Sequence, residues 1–461
     1  MRLKTNLIIG ALFAALLAFV YFYEIRGGEE RKAESDRAKQ LADFSESEAR
    51  RLTIDRIDTL IVLEKVQDRW WLKSPVECEA DQEAVERYLR NLRECERDKV
   101  VEEAGKVRDD PEVARKYRLH APRLKVAVET ASGGIDTLWW GADSPTQRFV
   151  YVQQRGDNPE IFTVQAWRYD NLDKRVFDLR DRRVLAFDQA AVREARLIQP
   201  QGTIALARAE GWRLLGPVAA LADEEAVKEL LDQLHQAQAR SFVPEPAPAP
   251  AQYGLDAPSL EVSLLLGDER AEKRLRVGAP APGGAYYAQD HSRPAVFTVD
   301  SSLVKELSKT VFDLRDKKPL KFARDAVDRI ELQGPGQALA AVKDTAGVWS
   351  LVAPQSGPAK SWKFNNLLSQ LEGVEVEEFA GEGAGPLRAR GLDAPRLRVV
   401  LQAGGQGVME VKLAEKDGQV YLARSGDQAV YRVAGSVLKD LDLQLGDVVQ
   451  SPATEAAPAG Q

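Results

Sequence analysis

Apolar positions along this chain follow one order three times. Val85, Tyr88, Leu89 and Leu92 fall at i, i+3, i+4 and i+7, and so do Val227, Leu230, Leu231 and Leu234, and again Phe364, Leu367, Leu368 and Leu371. That spacing is the buried stripe of an amphipathic helix. Downstream of each stripe the period drops to two, at Leu124, Val126 and Val128, at Leu260, Val262 and Leu264, and at Leu397, Val399 and Leu401, which predicts a strand with one buried face. Further short strands are expected around Leu138 to Trp140, Leu275 to Val277 and Val411 to Leu413. Hairpins are expected at Phe149 to Val152 with Ile161 to Val164, Tyr286 to Ala288 with Val296 to Val299, and Val420 to Ala423 with Val430 to Val433.

Landmarks before and after each stripe keep the same order. A unit opens at Phe44, Phe187 or Phe322, followed by Ala49, Leu52 and Ile54, by Val192, Ala195 and Leu197, or by Val327, Ile330 and Leu332. A Trp-x-Leu strand follows at Trp70, Trp212 or Trp349, each five residues before a proline (Pro75, Pro217, Pro354) that stops its extension. Asp81 and Asp223 are the expected helix N-caps, with Lys360 and Ser361 in that place in the third unit. Each unit then reaches a Leu-x-Ala-Pro turn at Leu119, Leu255 and Leu392, a recurrence after 136 and then 137 residues. A period of that length is a domain in tandem, not a solenoid. The fold class is therefore α+β, with three tandem repeats, each an antiparallel sheet packed with one main amphipathic helix.

Residues 1–6 are expected to form a short cytoplasmic leader. Leu7 to Tyr23 is an uncharged, mostly apolar run of 17 residues, read as a single N-terminal transmembrane helix at 7–23. Bulky Val20, Tyr21, Phe22 and Tyr23 close the run where a signal peptidase needs small residues, so an uncleaved anchor is expected. Residues 24–43 are expected to be a charged juxtamembrane spacer, 44–186, 187–321 and 322–449 the repeats, and 450–461 an Ala/Pro-rich, disordered tail. Basic residues after the run outnumber Arg2 and Lys4, but long domains translocate largely regardless of such counts. The expected location is the inner (cytoplasmic) membrane, with the C-terminal bulk on the extracytoplasmic side.

A net charge of −7 in 461 residues, with 29% charged positions, leaves no basic footprint for nucleic acid. Cys78 and Cys95 flank the first helix, whose length separates its ends by about 20 Å, so no disulfide is expected between them. Pro244 to Pro250 resembles a linker, yet the repeat places it before an Ala-Pro turn, as a stiff loop inserted in the second unit.

Candidate chemistry must stand out against the repeat. His120 occupies the turn slot of Asp256 and Asp393, His235 the solvated slot of Arg93 and Glu372, and His291 a hairpin turn. No metal site, no cofactor site and no catalytic constellation follows from these patterns. Between units runs a repeated joint, Phe177 to Arg183 and Phe312 to Lys318, in which Arg180, Asp181, Arg315 and Asp316 are expected to cap an element and hold neighbouring units together. One departure remains. Trp71, Trp139 and Trp167 occupy slots that are polar in both sister units, which makes them either a candidate partner or ligand surface or, as the preferred reading, side chains that pack against loops, the joint or the juxtamembrane spacer.

The N-terminal apolar run, the Trp-x-Leu-x-x-Pro motif, Tyr253 to Pro258 (YGLDAP), Val277-Gly278 and Leu314 to Lys317 together resemble a bacterial domain-of-unknown-function family, number 4340. The resemblance spans residues 44 to 449. It implies an envelope-facing accessory role beside ABC transporters of the gliding-motility type, and it carries no catalytic residues. The expected function is a non-enzymatic membrane-anchored scaffold or binding arm, an accessory component of an ABC-type transporter. The alternative is an envelope polysaccharide-binding protein or a hydrolase with a site between repeat units.

Overall fold

The computed structural model of the protein describes residues 39–41, 44–155, 159–247 and 249–450. The apolar run at 7–23, nearly all of the spacer and the tail beyond 450 lie outside the described residues. Among the described residues no helix is long and apolar enough to cross a membrane.

The first repeat contains β1 (Ala49–Arg56), β2 (Leu60–Val66), β3 (Arg69–Ser74), β4 (Cys78–Glu79), α1 (Gln82–Arg93), β5 (Lys99–Glu102), α2 (Ala104–Asp109), α3 (Pro111–Lys116), β6 (Leu124–Thr130), β7 (Ile135–Asp143), β8 (Phe149–Arg155), β9 (Ile161–Gln165), α4 (Ala166–Leu172) and α5 (Val176–Leu179). Its nine strands form one antiparallel sheet in the order β4-β3-β2-β1-β6-β7-β8-β9-β5. Two further nine-stranded sheets repeat that order by position in the second and third repeats.

Strand alternation decides which side of the sheet is dry. Leu52 and Ile54 on β1, Trp70 and Leu72 on β3, and Leu138 and Trp140 on β7 share one buried cluster with Val85, Tyr88, Leu89 and Leu92 of α1. The matching helices Glu224–Gln236 and Ser361–Glu372 bury the stripes read from their periodicity. At about 1.5–3 kcal/mol for each fully buried large apolar side chain, the stripe is what fixes the helix on the sheet. Asp81 accepts a hydrogen bond from the Ala84 amide, and Asp223 from the Glu225 and Ala226 amides, whereas Lys360 supplies no side-chain cap.

The prolines after the Trp-x-Leu strands do more than end them. Pro75, Pro217 and Pro354 each follow a cis peptide bond, and the chain returns as a two-residue edge strand, with Trp71 opposite Glu79 and Arg213 opposite Leu221. A two-residue strand has no periodicity, so these edges carry no pattern in the sequence. The expected single main helix per repeat is accompanied by shorter ones: α4 packs beside α1, and α2 with α3 build a small second core on the other sheet face, around Val113, Tyr117, Leu119 and Ile161.

By compactness the chain divides into two units, Met1–Val184 with Gln238–Ala249 and Ala295–Val299, and Leu185–Ala237 with Pro250–Pro294 and Asp300–Gln461. The first unit thus takes in Phe242 and Phe297 from the second repeat, which stack edge-on in series with Phe177 of the first. No disulfide joins Cys78 and Cys95.

Candidate functional site

The repeated motif Phe-Asp-Leu-Arg-Asp builds each joint from the inside out. Asp178 and Asp313 accept the amides of Arg175 and Thr310 at 2.8 and 2.7 Å, capping the short helices α5 and Val311–Leu314. Leu179 and Leu314 are buried beneath them. The next residue bridges to the extension of the two-residue edge strand, Ala80 to Arg180 and Ala222 to Arg315. The Asp81 amide donates to the Leu179 carbonyl and the Asp181 amide to that of Glu79; Asp223 to Leu314 and Asp316 to Leu221 repeat the pattern. Backbone that would stand open at a sheet edge is thereby paired.

With the main chain fixed, each arginine has one direction to go. Arg180 is 5% exposed, its guanidinium 3.7 Å from the centre of the Phe242 ring and 2.6 Å from the Glu245 carboxylate. Arg315 is 9% exposed, 3.9 Å from the centre of the Phe379 ring and 3.3 Å from Glu382. Arg180, Phe242 and Glu245 belong to the first compact unit, and Arg315, Phe379 and Glu382 to the second. Both arginines thus combine a cation over an aromatic face with a carboxylate partner. Asp181 is buried and holds Arg183 through two bonds of 3.0 and 2.9 Å, while Asp316 pairs with Lys321 at 2.5 Å.

Donor and acceptor halves of the joint are distributed by position along the chain. Phe242-x-x-Glu245 and Phe379-x-x-Glu382 occur in the repeats that follow another repeat; the first repeat has Val100-x-x-Glu103 in that place, with Val100 40% exposed. The last repeat has Val449 where the others have arginine, bridging to Ala359. The phenylalanine and glutamate partners went unrecognised in the sequence, and Glu245 lies inside the proline-rich loop read there as an insertion. The i, i+3 pair shared by the second and third repeats, but not the first, is the pattern that marks them.

The three candidate tryptophans do not form one aromatic platform. Trp71 on β3 and Trp139 on β7 point away from the α1 core, on one sheet face. The register Trp71 to Glu64 to Arg51 to Glu129 to Ile135 sets them four strands and four residues apart. At standard strand spacing that is about 23 Å. Trp139 packs on the second core, with the Arg155 guanidinium 4.2 Å from its ring centre. Trp167, 49% exposed, stands on α4 in the helix layer, where Arg168 covers its ring at 4.1 Å. Alternation sends the first two outward, and helix packing keeps the third on the opposite side.

The three histidines are exposed, and among the described residues no group of three or more His, Cys, Asp or Glu side chains is placed to hold a metal ion. Deeply buried acids have partners: Asp290 pairs with Arg293 at 2.9 Å, and Glu102 with Lys106 at 2.6 Å and the Tyr117 hydroxyl at 2.7 Å. Lys106 and then Tyr117 hold the Glu102 carboxyl down at about 2. Glu272 beside Arg274 and Glu410 beside Arg398 are also held below the ordinary carboxylate range.

These features define a class: three tandem α+β repeats, each a helix-covered nine-stranded sheet, with successive repeats tied by an arginine joint. The chain belongs to the family described as Domain of unknown function (DUF4340), whose model matches residues 70–211, 212–395 and 349–458. All three matches begin on the repeated tryptophan, one strand pair after the physical start of a sheet, since β1 and β2 precede Trp70 and pair with β6 and β3. No curated protein and no solved structure matches the chain.

Proposed function

We propose that this protein is a non-enzymatic, membrane-anchored binding arm of the cell envelope, an accessory component of an ABC-type transporter. The reading rests on one observation above the others, the twofold use of a buried Arg-on-Phe joint with a carboxylate partner. Side chains that hold one repeat on the next are what an arm must have to present a distant surface at a defined angle. The donor is absent from the last repeat and the aromatic acceptor from the first, which favours an arm of fixed length over an open-ended fibre. The apolar run at 7–23 would anchor it in the inner membrane with the repeats outside, and the family resemblance supplies the transporter.

Co-purification from gently solubilised membranes, with mass spectrometry of what remains bound, tests the partner. Recovery of transporter subunits supports the reading, and recovery of the chain alone counts against it. An alkaline-phosphatase fusion after residue 461 tests sidedness, because an inactive fusion would place the repeats in the cytoplasm.

A further inference from the structure

The second joint differs from the first in its charge. A cleft of about 400 Å³ opens there, lined by Arg213, Arg315, Lys318, Lys321, Arg424 and Asp427 among others, all within the second compact unit. The equivalent slots at the first joint hold Arg180, Arg183 and Arg293 against Glu77, Glu79, Asp181 and Asp290, three cations facing four carboxylates. At the second joint five cations face two carboxylates, Asp316 and Asp427.

Three of the five cations are departures from the repeat. Arg213 stands in the slot of Trp71, Lys321 in that of Ala186, and Arg424 in that of Asp290. The last exchange is a reversal, since the second repeat pairs Asp290 with Arg293 and the third pairs Arg424 with Asp427 at 3.1 Å. Lys318 replaces Arg183, which its own joint aspartate grips through two bonds; the Lys318 side chain enters no ion pair among the described residues. Arg213 is likewise exposed and enters none. Two uncommitted cations thus lie in a concave site whose other cations are held in place by Glu382, Asp316 and Asp427. The excess of positive charge inside a chain of net charge −7 is local.

We infer that this cleft is a binding site for a phosphate-type oxyanion. Arg213 and Arg424 offer planar guanidinium forks that match two phosphate oxygens at once, and Lys318 and Lys321 add point charges. A concave wall keeps those charges less screened than they would be on an open surface. The inference is independent of any transporter partner, since it rests on the second joint alone.

Calorimetric titration of the purified full-length protein with inorganic pyrophosphate tests it, beside Arg213→Gln/Lys321→Ala, Arg213→Lys, and Arg69→Gln at the first joint. The expected result is saturable one-to-one binding that weakens with salt and falls at least tenfold in the double variant. It should fall partway in Arg213→Lys, which keeps the charge but loses the fork, and be unchanged in Arg69→Gln. Displacement of pyrophosphate by soluble dihexanoyl phosphatidic acid, but not by the phosphatidylcholine analogue, would make a lipid headgroup the source; no displacement would make it a soluble phosphate ester. Absence of saturable binding, binding indifferent to the double variant, or equal affinity for citrate would overturn the assignment.

Discussion

The guanidinium of Arg180 lies over the ring of Phe242, 3.7 Å from its centre, and pairs with the carboxylate of Glu245 at 2.6 Å. Its counterpart Arg315 has the same partners by type, but Glu382 is about half exposed where Glu245 is mostly buried. Removing a cation strands its carboxylate in proportion to that burial. Arg180→Ala is therefore expected to cost about 2–4 kcal/mol, and Arg315→Ala nearer about 1 kcal/mol, where the cation–π contact dominates. Urea titrations of the two variants check the order, and Arg180→Met with Glu245→Gln should recover most of the loss. Equal effects at the two joints would contradict this account.

Gly278, in the Val-Gly motif, is required by a close approach. A Cβ built there would lie 2.1 Å from the Tyr253 carbonyl oxygen and 2.9 Å from the Gly254 carbonyl carbon, both backbone atoms that cannot step aside. Gly141 meets the Tyr117 carbonyl in the same way at 2.3 Å, whereas the third repeat carries Ala414 in that slot. Gly278→Ala and Gly141→Ala should each destabilise by about 1–3 kcal/mol. Thermal melts against Gly284→Ala, where no atom lies within 4 Å but φ is +72°, would separate overpacking from backbone strain.

What could be read from the chain and what could not divide along physical lines. Val85, Tyr88, Leu89 and Leu92 were legible because burial on one helix face imposes a period no loop reproduces, and the same holds for Leu124, Val126 and Val128 on β6. Edge strands such as Cys78–Glu79 are too short to hold a period. Arg180 was legible as a joint residue because it repeats, but its target was not: Phe242 and Glu245 are ordinary side chains until the preceding repeat is laid against them. Trp71, Trp139 and Trp167 departed from their sister slots for separate local reasons, and an alignment of repeats does not reveal which face each departure lands on. The basic cleft at the second joint drew its residues from two repeats, and only folding brings Arg213 and Arg424 to one cleft.

Cys95 and Cys78 should differ sharply as nucleophiles. Burial pushes the Cys95 thiol up to about 12, and its Sγ lies 3.3 Å from the Asn91 carbonyl oxygen, whereas Cys78 is half-buried on an edge strand. The thiolate is the reactive form, so at pH 8 the native protein should take up one equivalent of iodoacetamide, at Cys78, and two in denaturant. Peptide mapping that finds Cys95 alkylated in the native protein would show that the first core opens.

Glu102 makes the acid limb of stability specific. Its carboxyl, 8% exposed, is lowered from 4.5 to about 2, first by Lys106 and then by the Tyr117 hydroxyl. A carboxylate depressed in the folded state binds its proton more weakly there than in the unfolded chain. Its contribution is therefore complete above pH 4.5, declines as the unfolded chain begins to take up the proton, and is gone below about pH 2. Glu102→Gln should lower stability at pH 7 and flatten the loss between those two values, with the two proteins converging at the acid end. Urea midpoints measured across that range check the sign: if the wild-type and variant curves stay parallel, the Lys106 and Tyr117 contacts do not hold Glu102 ionised in solution.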